Sequence, residues 1–594
     1  MRRRLAALTL AAASLFVADR ADAFCGFYVA PGDKPLYNDA TMVALLRDGT
    51  RTALSMSNNY KGPAADFAMV VPVPVVLQKE NVKVLNKSVF SRLEAISAPR
   101  LVEYWEQDPC NPYPPPMAMP TSVAMGGTVK SGAPEGAGKD YGVKIEAKFE
   151  VGEYQILVLS AKQSDGLESW LHDNKYNIPQ GASAALAPYV KEQWKFFVAK
   201  IDITKVALDA NGSAQLSPLR FHYESNDFRL PVRLGLLNAP THAAAKQDLL
   251  LFVLSKTDRY EVANYPNVFI PTNLEVTDAT RTSFAPFYAT LFDAAVDKAQ
   301  GKGVVTEYSW TTPFFNNNMG MKCDPCPSQP ITAPADLAAL GGDVLWGLGA
   351  GGPPMSKGPT WGPGGGMGGL GNVVITRLHA RYDSKSLGDD LVFKVAGPVV
   401  GGREGGGPAG NEQGAKPSSQ NNFQARYVIR HPWTGAVKCA KPQRGIWGGP
   451  PGSWNAKPPP PAAATGLASV VRTGIKLTSY LKAGLPKFDV KAAGPTPPFV
   501  APPTPPDPVV PDAGPEASVT GADAGTIVDA TVAPPIETVA PPSSSAGPAP
   551  VPSVQPQPHG CGCDIPGGAK TTSTALAGLA ASAIALSLAR RRRR

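Results

Sequence analysis

The sharpest chemical signal in the sequence is Cys323-Asp324-Pro325-Cys326, two thiols separated by two residues. Such a pair can act as a redox dithiol, because proximity and a helix N-terminus lower the pKa of the first thiol. It can also supply half of a zinc site or belong to a disulfide framework. The redox use needs a strand running into a helix. Here the flanks "FFNNNMGMK" and "PSQPITAPADL" are loop-like, and Pro327 opposes a helix start at the second thiol. Zinc would want a second ligand pair, and the body of the chain has no other C-x-x-C. Cys25, Cys110, Cys323, Cys326 and Cys439 lie in that body, and disulfides among them are the expectation. Their odd number leaves one thiol over. Redox chemistry at Cys323 and Cys326 stays open as the alternative.

Other candidates for chemistry are sparse. The histidines are His172, His222, His242, His379, His431 and His559, and none has H-x-x-x-H or H-E-x-x-H spacing. Neither a G-x-S-x-G elbow nor a P-loop occurs. His222 and His379 fall on expected strands among Arg and Tyr, where packing accounts for them. No catalytic residue, cofactor or metal ligand is assigned, which favours a role other than catalysis.

The elements that must position these residues are mostly strands. "TMVALLRDGTRTALSMSNNY" places Asp48-Gly49 between two apolar runs, a hairpin signal. "DFAMVVPVPVVL" carries Pro72 and Pro74 at alternate positions, which suits an edge strand. "VFSRLEAI" and "SAPRLVEYWEQD" read as two short helices, the second capped by Ser97. "YGVKIEAKFEVGEYQILVLSA" alternates apolar and charged residues and turns at Gly152-Glu153. "SDGLESWLHDNKY", "ASAALAPYVKEQW" and "APFYATLFDAAVDKAQ" read as helices. "KFFVAKIDI", "QDLLLFVLSKTDRYEV", "VVTEYSW" and "NVVITRLHARYDSKSLGDDLVFKVAGPVVGG" read as strands. Many strands, few helices and no regular βαβ alternation define an α+β class with a mixed, largely antiparallel sheet.

Residues 1–23 have the three-part form of a signal peptide. Arg2, Arg3 and Arg4 precede an apolar core at 5–17, and Ala21-Asp22-Ala23 offers a cleavage site after Ala23. The secreted head is expected over 24–450, with flexible insertions near 111–140, 341–372 and 403–421. The chain holds 59 glycines and 62 prolines, about a fifth of its 594 residues, against a norm of roughly 12%. Much of that excess lies beyond residue 340. Residues 451–559 read as a Pro/Ala-rich linker or stalk, in which "GLASVVRTGIKLTSYLKAGL" is a candidate amphipathic helix. The net charge of +9 comes mostly from the two ends, leaving about +2 for everything between. The balance is no footprint for nucleic acid.

Residues 560–594 hold Cys561, Cys563, an uncharged stretch at 571–589 and five terminal arginines. A helix over that stretch would be about 28 Å long, barely the thickness of a hydrocarbon core. The arginines would keep its end cytoplasmic.

Two resemblances follow from these residues. "CGFYVA", "FAMVVPVPVVL", "SAPRLVEYWEQDPC", "CDPC" and "TRLHARYDSKSLGDDLVFKVAGPVVGGRE" resemble an uncharacterised family of exported bacterial proteins over about residues 24–450. That family implies a shared secreted domain and brings no activity. The tail is similar to the MYXO-CTERM sorting signal of myxobacteria and relatives. It implies export, cleavage by a sorting protease, and lipid modification at Cys561 or Cys563. The combined expectation is a binding or structural module displayed on the surface of a Gram-negative, myxobacterium-like cell and tethered to its membrane by the C-terminus.

Overall fold

Strands Tyr37–Asp48 and Arg51–Lys61 form the expected hairpin, with Asp48 paired to Arg51. Gly49-Thr50 is therefore the loop, one residue later than the sequence suggests. The positive φ of 60° falls on Gly49, where the missing Cβ removes the clash. The computed structural model describes residues 27–29, 37–61, 68–111, 143–174, 176, 181–208, 214–238, 246–313, 334–348, 372–383, 386–403, 412–448, 450, 462–463, 465–466, 470 and 472–495.

The hairpin sits in the middle of a long sheet. Val304–Pro313, Asn372–Tyr382, Gln247–Ser255, Tyr37–Asp48, Arg51–Lys61, Leu219–Glu224 and Val82–Val84 lie side by side. Gln247–Ser255 and Tyr37–Asp48 run parallel, and their other neighbours here are antiparallel. Strand periodicity sorts side chains to two faces. Val43, Leu45, Leu249 and Leu251 face a second, five-stranded sheet through Val71, Ile156, Val158 and Phe197. Ala44, Leu46, Leu250 and Phe252 face helix Ser88–Ser97 and the 334–348 segment. The outer face of the second sheet is covered by helices Ser164–Asp173 and Ala182–Lys191. Each large apolar side chain so buried contributes roughly 1.5–3 kcal/mol. The architecture is α+β, as the element pattern implies.

The proline-rich strand Ala68–Val73 lies second from the edge of that sheet. Its outer neighbour Phe27–Val29 pairs only with Ala68, Met69 and Val70. Among the described residues Pro72 has no outer strand neighbour, and a proline, which lacks the ladder donor, is tolerated at such a position.

Three expectations need correction. "SAPRLVEYWEQD" is a strand, Arg100–Glu106, paired parallel to Arg426–His431. Pro99 forces Ala98 into extended backbone (φ −63°, ψ 148°) and ends the preceding helix. Ser97 closes that helix, its hydroxyl donating to Leu93 O at 2.6 Å. The glycine-rich region is packed at its start: Leu345 and Leu348 are buried. A Cβ at Gly341, whose φ is 120°, would collide with Ala53. Residues 349–371 lie outside the described set, as do 112–140 and 404–411 of the other two expected insertions, whereas 412–421 of the last is ordered, with a short strand Lys416–Pro417 paired to Val399 and Val400 and a buried Asn421.

The third correction concerns the stalk. Ala462–Ala463 pairs with Arg100 and Leu101, and Asp489–Lys491 pairs with Asn267–Phe269. Between them Leu477 and Leu481 are buried against helix Phe284–Lys298. The head thus extends past residue 450 through a strap that reaches at least residue 491. The expected amphipathic helix is replaced by a single 3-10 turn, Leu477–Ser479. Residues 496–559 lie outside the described residues.

Candidate functional site

Where helix Phe284–Lys298 lies over the central sheet, strand alternation brings Arg377, His379 and Arg381 to the face opposite Leu378 and Ala380. The neighbouring strand, Val304–Pro313, carries a β-bulge between Thr306 and Tyr308. Glu307 is the bulged residue, and bulges re-aim side chains in this way. His379 lies between two carboxylates, its Nδ1 donating to Glu307 Oε1 at 2.8 Å and its Nε2 to Asp248 Oδ1 at 3.0 Å. A carboxylate that accepts from each ring nitrogen suits an imidazolium, in line with the raised pKa of His379.

The cluster is closed on every side shown. Arg377 Nε donates to Glu307 Oε2 at 2.6 Å, with both side chains fully buried. The Tyr288 hydroxyl donates to Glu307 Oε1, and the ring of Phe292 stacks on His379 with centroids 4.0 Å apart. Arg472, from the strap, donates to Asp248 Oδ1 at 3.0 Å. Asp293 and Arg381 complete the outer end, 3.6 Å apart.

Burial pushes the Glu307 carboxyl up, but the charges of Arg377 and His379 and its hydrogen bonds outweigh burial and hold it at about 2. Burial pulls His379 down, while Glu307 and Asp248 more than compensate and raise it above its ordinary 6.5. Asp293 is pushed up to about 6 by burial, with Arg472 opposing and Asp248 adding to the rise. An imidazolium between carboxylates could transfer protons. Here its hydrogens are already given to the protein itself.

A second histidine cluster is open to water. His431 Nε2 lies 2.8 Å from Glu103 Oε2, and its ring stacks on Trp105 at 4.6 Å. Arg281 forks onto Glu103 with bonds of 2.8 and 2.7 Å. Glu103 is lowered first by the Arg281 hydrogen bond, against burial. Beside this cluster, Cys110 and Cys439 form a disulfide across 329 residues of sequence.

Of the residues singled out from sequence, Cys110 and Cys439 are joined. Cys25, Cys323, Cys326, Cys561, Cys563 and Ala23 lie outside the described residues. His172 is exposed, and His222 contacts Asn81 at 3.2 Å. Sequence reasoning missed Glu307, Asp248 and Arg472. Asp248 had a signal, a charge at the head of the apolar run "QDLLLFVLS". Among the described residues no group of three His, Cys, Asp or Glu is placed to hold a metal ion. The depression beside Pro188 is shallow and open, with Lys191 and Glu192 as its charged lining.

The fold and its charged cluster define an α+β head of mostly antiparallel sheets, braced by an acid–imidazolium network. The chain belongs to a bacterial family described as "Uncharacterized protein conserved in bacteria (DUF2330)", which matches residues 19–394. No curated protein and no solved structure matches it. The matched span contains Asp248, Phe292, Asp293, Glu307, Arg377, His379 and Arg381, and it ends before Arg472.

Proposed function

We propose that this protein is a head displayed on the bacterial cell surface, where it binds or builds instead of catalysing. The observation that carries the reading is the fate of the acid–base groups around His379; the His431–Glu103 pair, though open to water, is engaged by the fork of Arg281 and the ring of Trp105. Glu307, His379 and Asp248 neutralise one another inside the core, and catalysis needs such groups within reach of a substrate proton. The Cys110–Cys439 disulfide supports an oxidising compartment. The signal-like start and the tail support passage through export machinery, cleavage by a sorting protease, and a lipid at Cys561 or Cys563.

The test is mass spectrometry of the protein shaved from intact cells. Head peptides released by external protease, with no peptide beyond Cys563 and a lipid adduct nearby, are expected. Recovery of the intact arginine terminus from mature protein would overturn the cleavage.

One observation keeps a thiol-redox reading alive. With Cys110 and Cys439 paired, Cys25 is the one body cysteine left as an outside partner for Cys323 or Cys326. Thiol mapping separates the outcomes: a Cys323–Cys326 bond that opens under mild reductant supports redox use, and a bridge to Cys25 removes it.

A further inference from the structure

The outer end of the buried network has the parts of an arginine receptor, and an arginine already occupies it. Two carboxylates on different elements converge there, Asp248 on the central sheet and Asp293 on helix Phe284–Lys298. Arg472 places one nitrogen 3.0 Å from Asp248 Oδ1 and its Nε 3.8 Å from Asp293 Oδ2. Its guanidinium carbon lies 5.8 Å from the centre of the Phe292 ring. A planar fork beside an aromatic ring and facing two carboxylates suits guanidinium better than ammonium.

The seat is only partly used. Arg472 Nε is buried with no hydrogen-bond partner among the described residues, since 3.8 Å is too long for a bond to Asp293. Arg381 Nη1, 3.6 Å from Asp293 and 3.9 Å from Asp248, is likewise unpartnered. The carboxylates and ring belong to the family-matched residues 19–394, whereas the arginine that fills them comes from outside that span.

We propose that Asp248, Asp293 and the ring of Phe292 form a guanidinium-binding site, filled by Arg472 as the chain's own ligand. An arginine side chain of a partner protein takes this place when the 472–491 strap lifts. The strap is suited to lifting. Its buried anchors are Leu477 and Leu481, with Ile475, Tyr480 and Phe488 only partly buried beside them. Its ion pairs, Lys482 with Glu275 at 2.9 Å and Lys491 with Glu261 at 3.2 Å, have lysines 39% and 46% exposed. Its terminal strand, Asp489–Lys491, is exposed at all three residues. Elements with few buried contacts open locally before the rest of a fold. The partner half of this inference rests on the binding-module reading, while the site itself does not.

Chemical rescue tests the site in the full chain. Arg472→Ala is expected to lower Tm by about 3–6 °C. Millimolar methylguanidinium should restore much of that loss where methylammonium at equal concentration does not. Adding Asp248→Asn should abolish the rescue. Equal action of the two cations, or rescue that survives Asp248→Asn, overturns the site.

Displacement is tested on the unmodified protein, which also covers an Arg472→Ala chain that does not fold. N-acetyl-argininamide, unlike N-acetyl-lysinamide, should speed hydrogen exchange at the Lys482 amide, which donates to Glu275 O at 3.0 Å. Unchanged exchange overturns the displacement. A failed rescue leaves surface display to its own mass-spectrometric test, and a failed display leaves the rescue standing.

Discussion

His379 and His431 are built to one plan in two settings. Each imidazole lies 2.8 Å from a glutamate oxygen, Glu307 or Glu103, and each glutamate is also held by an arginine. Each ring stacks on an aromatic ring, Phe292 at 4.0 Å or Trp105 at 4.6 Å. They differ in water. The His379 side chain is 1% exposed and that of Arg377 is 0%, against 23% for His431 and 48% for Arg281. Desolvation makes each member of the inner cluster obligatory to the others, since none can turn to solvent if its partner leaves. The outer cluster can exchange its bonds for water or for another molecule. The same residue types therefore brace the core around His379 and lie within reach of water around His431, the Asp248–Asp293 end of the inner cluster being covered by the strap.

The strongest attempt to break this contrast removes the shared anion of the inner cluster. Glu307→Ala leaves Arg377, His379 and Tyr288 facing an empty buried space. A loss of about 3–5 kcal/mol is expected from urea unfolding. A loss under about 1 kcal/mol would show that water reaches the cluster and that burial does not separate the two histidines.

Opening the disulfide acts on the other side of the comparison. Cys110 follows the strand that carries Glu103 and Trp105, and Cys439 lies in the loop after His431. Cys110→Ser with Cys439→Ser should cost about 2–4 kcal/mol. It should speed exchange at the amide of Gln443, which donates to Pro109 O. Amides beside His379 should keep their protection. Equal loosening at both clusters would merge what the comparison separates.

Titration sharpens it further. His379 is raised above 6.5 in the fold, so its contribution is fully present below that pH and is lost as pH rises through the folded value. Glu307, held at about 2, contributes above its ordinary 4.5, and that contribution is lost as pH falls toward 2. Asp293 works in the opposite sense. Raised from 3.8 to about 6, it subtracts stability as pH climbs between those values. The stability difference between the wild type and His379→Gln should therefore shrink as pH rises from 6.5 through the folded value of His379. A difference that grows over that window would mean a neutral ring.

Much of the fold was legible because local chemistry and tertiary packing agree. Gly49 and Gly152 mark real hairpins, and "APFYATLFDAAVDKAQ" is the helix it reads as. "RLVEYWE" misleads because it lacks strand alternation, and Pro99, which decides against a helix, fits a first helical turn equally well. In the site, the spacing Arg377-x-His379-x-Arg381 already places three cations on one face of a strand. That this face is interior depends on a helix some 80 residues away in sequence. Glu307 was invisible because its bulge breaks the period of two on which strand reading rests. Arg472 was hidden by its setting, since proline and alanine around it suggested a stalk. The choice of Cys110 with Cys439 among five cysteines could not come from spacing.

The smallest expected effect is at the surface, and it bears most directly on the contrast. Arg281→Ala removes a forked pair from Glu103, but the carboxylate keeps His431 at 2.8 Å and gains water where the guanidinium stood. Exposed pairs contribute roughly 0–1 kcal/mol, and the loss here should be no more than about 0.5 kcal/mol, fading as salt screens it. Urea unfolding at low and high ionic strength measures both. Arg281 and Arg377 satisfy glutamates with nearly the same bond lengths, 2.7 and 2.6 Å. If Arg281→Ala approached the cost of Glu307→Ala, bond geometry and not exclusion of water would set the worth of these clusters, and the outer one would brace the fold no less than the inner.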